Sequence, residues 1–150
     1  MKKLIIFTDG GARGNPGPAA AGVVIKDETG QILNSISRTL GETTNNVAEY
    51  QGVIAALDWL RNNPIIQLSN KPINEKFIIQ FFLDSKLVVN QLNGLFKVKE
   101  NHLRELILKV RFLEQEVGGD IYYNLIPREK NWEADKLVNE ALDCTNLKKS

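Results

Sequence analysis

Two short apolar runs, Leu4 to Thr8 (LIIFT) and Phe77 to Leu83 (FIIQFFL), each close on an aspartate, Asp9 and Asp84. Runs of this length, rich in β-branched and aromatic residues, read as strands buried in a core, the second of them on both faces. If the two are adjacent and parallel, their ends set the two aspartates roughly 5 Å apart. Two carboxylates that close repel unless a cation or a proton sits between them.

The remaining segments supply the rest of a layered fold. After Asp9 the stretch GGARGNPGP interrupts regular structure with glycine and proline. Ala20 to Lys26 resumes a strand pattern, Asp27-Glu28-Thr29-Gly30 has turn chemistry, and Gln31 to Leu40 reads as the returning strand. Beyond Asn45-Asn46, residues Val47, Tyr50, Ile54 and Leu57 recur at helical spacing, which predicts an amphipathic helix with one buried face, stopped by Asn62-Asn63-Pro64. Ile65 to Lys76 has no period and reads as a loop. A short helix from Ser85 should close at Asn93-Gly94, and a long one from Glu100 to Val117 carries Leu103, Leu106, Ile107, Val110 and Leu113 on one face. Ile121 to Ile126 is the last strand, and Asn131 opens a final helix through about Leu142.

The order βββαβααβα predicts an α/β fold with a five-stranded mixed sheet: three antiparallel strands, then two parallel ones, with helices on both faces. At 150 residues and 43% hydrophobic composition, one domain over 1–150 is expected. The 19 Lys+Arg against 18 Asp+Glu give a net charge of +1, so any nucleic-acid binding must come from a local patch rather than a global basic field. One cysteine, Cys144, excludes an internal disulfide and suits a reducing, cytoplasmic setting. The apolar run after Met1-Lys2-Lys3 stops at Asp9, too soon for a signal peptide, and no run is long enough to span a bilayer.

Two more carboxylates belong with the first pair. Glu49 is expected in the first turn of its helix and Asp135 in the first turn of the last one, so both can face the rim where Asp9 and Asp84 end. Ligands of open α/β sheets bind just beyond the carboxyl ends of the strands. Each acid also has an ordinary structural reading. Asn46 with Glu49 fits a capping box, Asp84 before Ser85 can cap a helix, Asp135 can complement a helix dipole, and Asp9-Gly10 can be a turn pair.

The motifs, taken in order, narrow the choice. Asp9-Gly10-Gly11-Ala12-Arg13-Gly14-Asn15-Pro16-Gly17-Pro18, then Thr43-Thr44-Asn45-Asn46-Val47-Ala48-Glu49, then Asp84-Ser85, then Asn131-Trp132-Glu133-Ala134-Asp135 closely resemble the four motifs of type 1 ribonucleases H. The segment LNGLFKVKENHL resembles the compact bacterial and archaeal members, which lack the basic protrusion of some relatives. The resemblance implies a metal-dependent endonuclease that cuts the RNA strand of RNA–DNA hybrids and leaves 5′-phosphate and 3′-hydroxyl ends. It implies two Mg²⁺ ions, replaceable by Mn²⁺, about 4 Å apart. Asp9 would bridge them, Asp135 would help hold the ion activating water, and Glu49 with Asp84 the ion at the leaving 3′ oxygen. By the same resemblance Asn15, Asn46 and the backbone from Gly11 through Ala12 to Arg13 contact the RNA strand. Thr44 resembles part of a pocket for a DNA phosphate, and Asn45 belongs to the same segment. Asn15-Pro16 as a plain turn, and Asn45 or Asn46 as an N-cap, remain open.

The chain departs from the resembled family in two places, one being the Ile65 to Lys76 stretch, which makes the connection from Glu49 to Asp84 longer than the compact family norm. Many relatives carry a histidine in the loop before the last motif, whereas here the loop reads Ile126-Pro127-Arg128-Glu129-Lys130. The sole histidine, His102, starts a helix and reads as a surface residue. Arg128 and Glu129 are the candidate replacements, with Asn131 beside them. Lys97 and Lys99 are candidates for backbone contact. The chain shows no separate N-terminal hybrid-binding module, so affinity is expected to be modest and salt-sensitive. Two rivals stay open: a hybrid-binding protein with weak catalysis, and a related nuclease that also cuts double-stranded RNA. The expected partner is the hybrid, with no membrane, no obligate protein partner and a monomeric state.

Overall fold

A computed structural model of the chain describes residues 2–63 and 77–149. Its elements are β1 (Lys2–Ala12), β2 (Gly17–Asp27), β3 (Ile32–Thr43), α1 (Asn45–Asn62), β4 (Phe77–Leu83), α2 (Lys86–Leu92), α3 (Asn101–Val117), β5 (Asp120–Leu125), a 3-10 turn (Arg128–Asn131) and α4 (Trp132–Lys149). The five strands form one sheet in the order β3-β2-β1-β4-β5. β1 pairs antiparallel with β2, and β2 with β3, while β1 with β4 and β4 with β5 are parallel. The expected mixed sheet is therefore the observed one. The loop read at 65–76 lies outside the described residues.

Alternation along the strands divides the core between two faces. Leu4 and Ile6 of β1, Val23 and Ile25 of β2, and Ile79, Phe81 and Leu83 of β4 point to one side. There they meet Tyr50, Val53, Leu57 and Leu60 of α1, which in turn pack on Leu103, Val110 and Leu113 of α3. On the opposite side Ala20 packs with Val138, Ala141 and Leu142 of α4. Among the described residues no helix is long and apolar enough to cross a membrane.

Several expectations shift, each for a tertiary reason. α1 is not buried on one face only: Ala48, Gly52, Ala55 and Ala56 are buried along with Val53, Ile54 and Leu57, because the helix is sandwiched between the sheet and α3. Its small residues let it approach the strands closely. β4 is not fully buried on both faces but alternates between buried and half-buried positions, since α4 lies across β1, β2 and β3. β1 does not stop before Asp9. It runs on to Ala12 because the antiparallel ladder with β2 continues to the pair Ala12 and Ala19. Asn131 ends a 3-10 turn instead of opening the final helix, which starts at Trp132 and extends past Leu142 to Lys149.

Two glycines fix how closely the layers meet. A Cβ on Gly10 would lie 2.2 Å from the backbone carbon of Ala48 and 2.4 Å from the Glu49 nitrogen, so β1 and α1 touch backbone to backbone there. On the other face, a Cβ on Gly22 would lie 2.3 Å from the Ala134 oxygen, which brings the first turn of α4 down onto β2. The residues next to these contacts are Asp9, Glu49 and Asp135.

Candidate active site

The β1–β4 ladder runs to the pair Phe7 and Phe82, and Asp9 and Asp84 stand two residues further along each strand direction. Close approach at Gly10 adds Glu49 from α1. Carboxylate oxygens of Asp9, Glu49 and Asp84 all lie within 4.8 Å of one another. Asp9 and Glu49 are buried, at 4% and 6% exposure, and Asp84 is partly so. Asp135 is not within that group. It faces the same cleft, of about 530 Å³, and accepts a hydrogen bond of 3.3 Å from Asn139 Nδ2.

The ordinary readings of these acids mostly fail. Thr44, not Asn45 or Asn46, caps α1, its Oγ1 accepting from the Val47 nitrogen at 3.3 Å. Glu49 therefore lies beyond the first turn, which contains no acidic residue, and no capping box with Asn46 forms. Ser85 caps α2 through its own hydroxyl, so Asp84 is not used as a cap. Only Asp135 sits where a helix-dipole role was expected, in the first turn of α4.

Burial and mutual repulsion set the electrostatics. Asp9 is pushed up to about 7, first by burial and then by the charge of Asp84, with Asp135 adding to it and hydrogen bonds from Glu49 and the Gly10 backbone opposing. Glu49 is held well above the usual carboxylate range, first by burial and then by Asp9. Glu49 Oε2 is buried without a hydrogen-bond partner among the described residues. Three converging oxygen donors, one of them orphaned, are what a hard divalent cation fits. These residues fit such an ion, and it would take up the charge that now destabilises them.

A pH dependence follows. An acid raised in the folded state binds its proton more tightly there than in the unfolded chain, so stability falls as pH rises from the unfolded value toward the folded one. Metal-free protein is therefore expected to lose melting temperature between about pH 4 and pH 7 through Asp9, with Glu49 extending the trend upward. Thermal melts in chelator across that range check it; a melting temperature that rises instead contradicts the assignment.

Around the carboxylates, the cleft is lined by Gly11, Ala12, Arg13, Asn45, Asn46 and Arg128 among others. Asn15 and Thr44 do not line it. Asn15 Oδ1 accepts from the Asn45 nitrogen at 3.0 Å, and Asn45 Oδ1 accepts from the Ala12 nitrogen at 2.8 Å. These two amides knit the β1–β2 turn and the end of β1 to the start of α1. Arg13 pairs with Asp143 of α4 at 2.6 Å, an exposed contact. Glu129 is exposed in the 3-10 turn and does not line the cleft. His102 is exposed and lies 3.2 Å from Glu100, the surface role expected of it. Lys97 and Lys99 line a different groove, with Leu87, Phe96 and Asn46. Ser85 of the third motif also lines the carboxylate cleft, and the sequence reading missed Val138, Asn139 and Leu142, which line it too. The last three share a helical face with Asp135 at spacings of three, four and seven, a signal that was available.

The family model described as "Reverse transcriptase-like" matches residues 7–141. A ribonuclease H1 isolated from compost by a metagenomic approach, LC11-RNase H1, is 46% identical, with 97% of this chain and 99% of that chain aligned and a TM-score of 0.82. A crystal structure of the same protein in complex with an RNA/DNA hybrid aligns at the same TM-score of 0.82 and 45% identity over 95% and 98% of the two chains. The ribonuclease HI of Halobacterium salinarum is 37% identical over 91% of this chain and 63% of its own length. A bifunctional protein of Mycobacterium tuberculosis is 39% identical over 95% of this chain, which spans 36% of that relative's length. With the sheet order, the four motifs and these matches in agreement, the chain belongs to the type 1 ribonuclease H family.

Proposed function

We propose that this chain is a metal-dependent endoribonuclease that hydrolyses the RNA strand of RNA–DNA hybrids, leaving 5′-phosphate and 3′-hydroxyl ends. The observation that carries the proposal is the buried carboxylate cluster of Asp9, Glu49 and Asp84, with its orphaned Glu49 oxygen, on the floor of an open polar cleft. Family membership and the hybrid-bound structure of LC11-RNase H1 support it. Asp9, Glu49 and Asp84 would hold divalent cation, with Asp135 completing the set from the rim. Mg²⁺, or Mn²⁺ in its place, supplies when bound the positive charge that activates water and stabilises the leaving oxygen.

The chain's own groups do the rest. Gly11 to Arg13, Asn45 and Asn46 present backbone and amide groups to the RNA strand, where a 2′-hydroxyl is both donor and acceptor and distinguishes ribose from deoxyribose. The two amide bridges through Asn15 and Asn45 keep that surface in place before substrate arrives. Arg128 faces the same cleft, from the loop before the last motif. A single exposed cysteine suits the cytoplasm.

Arg128→Ala is expected to lower turnover about tenfold, in line with loss of one charge-assisted hydrogen bond in the transition state. Steady-state kinetics on a hybrid check it, and an unchanged kcat removes Arg128 from the reaction. Substrate class is tested by comparing cleavage of matched RNA–DNA, RNA–RNA and DNA–DNA duplexes. Preferential cutting of RNA in the hybrid is the expected result; equal rates on RNA–RNA would replace the proposal with that of a broader A-form nuclease.

A further inference from the structure

We infer that Asn131 is a positioning residue that fixes the Asp84 carboxylate for cation binding, an inference that rests on the metal-site reading above. Asn131 closes the 3-10 turn before α4 and is 1% exposed. Its single amide NH₂ donates twice, to the Thr8 carbonyl and to Asp84 Oδ2, each at 2.8 Å. One bond reaches 123 positions along the chain and the other 47. This one group therefore ties together β1 at Thr8, the residue after β4 and the start of α4, beside Asp9, at Asp84 itself and near Asp135.

The placement answers a local need. The β1–β4 ladder ends at Phe7 and Phe82, and the Thr8 carbonyl next along finds its donor in Asn131. Asp84, one residue past β4, is held by no cap, because Ser85 takes that role. With one of its oxygens bound to Asn131, the Asp84 carboxylate is oriented before any cation arrives. Groups that orient a ligating carboxylate in this way typically govern metal affinity or activity by about 10- to 100-fold. The Asn131 oxygen is itself buried without a partner among the described residues, so the side chain is retained here despite an unsatisfied acceptor. That pattern fits a residue kept for its two donors.

The test uses Asn131→Leu, which keeps the volume and removes both donors, and Asn131→Ser, which keeps one shorter donor. Mn²⁺ binding to the substrate-free protein is measured by calorimetry, beside thermal melts and hybrid kinetics. The expected result is Mn²⁺ affinity about tenfold weaker in Asn131→Leu and intermediate in Asn131→Ser, with a higher metal requirement and an unchanged KM for hybrid. If Asn131→Leu does not fold, a weakened Mn²⁺ affinity in folded Asn131→Ser supports the inference by itself. Unchanged Mn²⁺ affinity in a folded variant, with only a lower melting temperature, overturns it and leaves the metal-site reading intact. Absence of Mn²⁺ binding by the unmodified protein overturns both.

Discussion

Asp9→Asn is expected to lower metal-dependent cleavage by at least about a thousandfold, equivalent to about 4 kcal/mol of transition-state stabilisation. The same substitution is expected to raise the melting temperature of the metal-free protein at pH 8. Both effects have one cause. Asp9 is the most encumbered of the acids that the strands bring together: it is buried, next to Asp84 and in contact with Glu49, and is pushed up to about 7. Above that pH it must hold a charge in the folded protein that costs nothing in the unfolded chain. An amide of the same shape removes the repulsion and the cation site together. At pH 5, where Asp9 is largely protonated in the folded state, the stability gain should shrink. Activity assays with Mg²⁺ and melts with chelator at both pH values check the pair. Retained cleavage, or a lower melting temperature at pH 8, contradicts the assignment of Asp9.

The second large effect concerns a residue with no chemistry of its own. Gly10→Ala places a methyl group 2.2 Å from the Ala48 backbone carbon and 2.3 Å from its oxygen. Neither can rotate away, so α1 must shift off β1. Forced overpacking of backbone against backbone is expected to cost at least about 3 kcal/mol, near the upper end for such changes, which is about 10 °C of melting temperature at this size. Because Asp9 and Glu49 flank the contact, cleavage should fall as well. Gly11→Ala is the control for stability, since its added Cβ would meet Val138 Cγ1 at an ordinary 3.7 Å. Equal melting temperatures for the two variants would show that the close approach at Gly10 is not what sets the distance between the layers.

These two residues also show what a sequence discloses and what it withholds. The pairing of Asp9 with Asp84 was legible because both end apolar, β-branched runs, and apolar runs of strand length have few places to go but adjacent in a sheet. The apolar stripe of α3 was legible for the same kind of reason, a local period, whereas the start of α1 was not, its cap being Thr44 in place of Asn45 or Asn46. Strand β1 continuing to Ala12 was not, because its last residues are held by β2 rather than by any preference of their own. Nor was the burial of α1 between two layers, which turns a helix expected to be one-sided into one with Gly52, Ala55 and Ala56 inside. Asp135 was foreseen at the rim, yet its place outside the tight cluster depends on how α4 seats on Gly22, a tertiary matter. Asn131 could be named from its motif. Its two hydrogen bonds, to Thr8 and Asp84, exist only once three distant segments converge.

Whether this cluster cuts RNA paired with DNA is decided by strand-labelled cleavage of one hybrid. The protein is incubated with the hybrid and Mg²⁺, with and without chelator, and both strands are followed. Internal cuts are expected in the RNA strand alone, carrying 5′-phosphate ends and lost on adding chelator. An uncut RNA strand with either Mg²⁺ or Mn²⁺, while the protein still binds the hybrid, would contradict it and leave a hybrid-binding protein in its place.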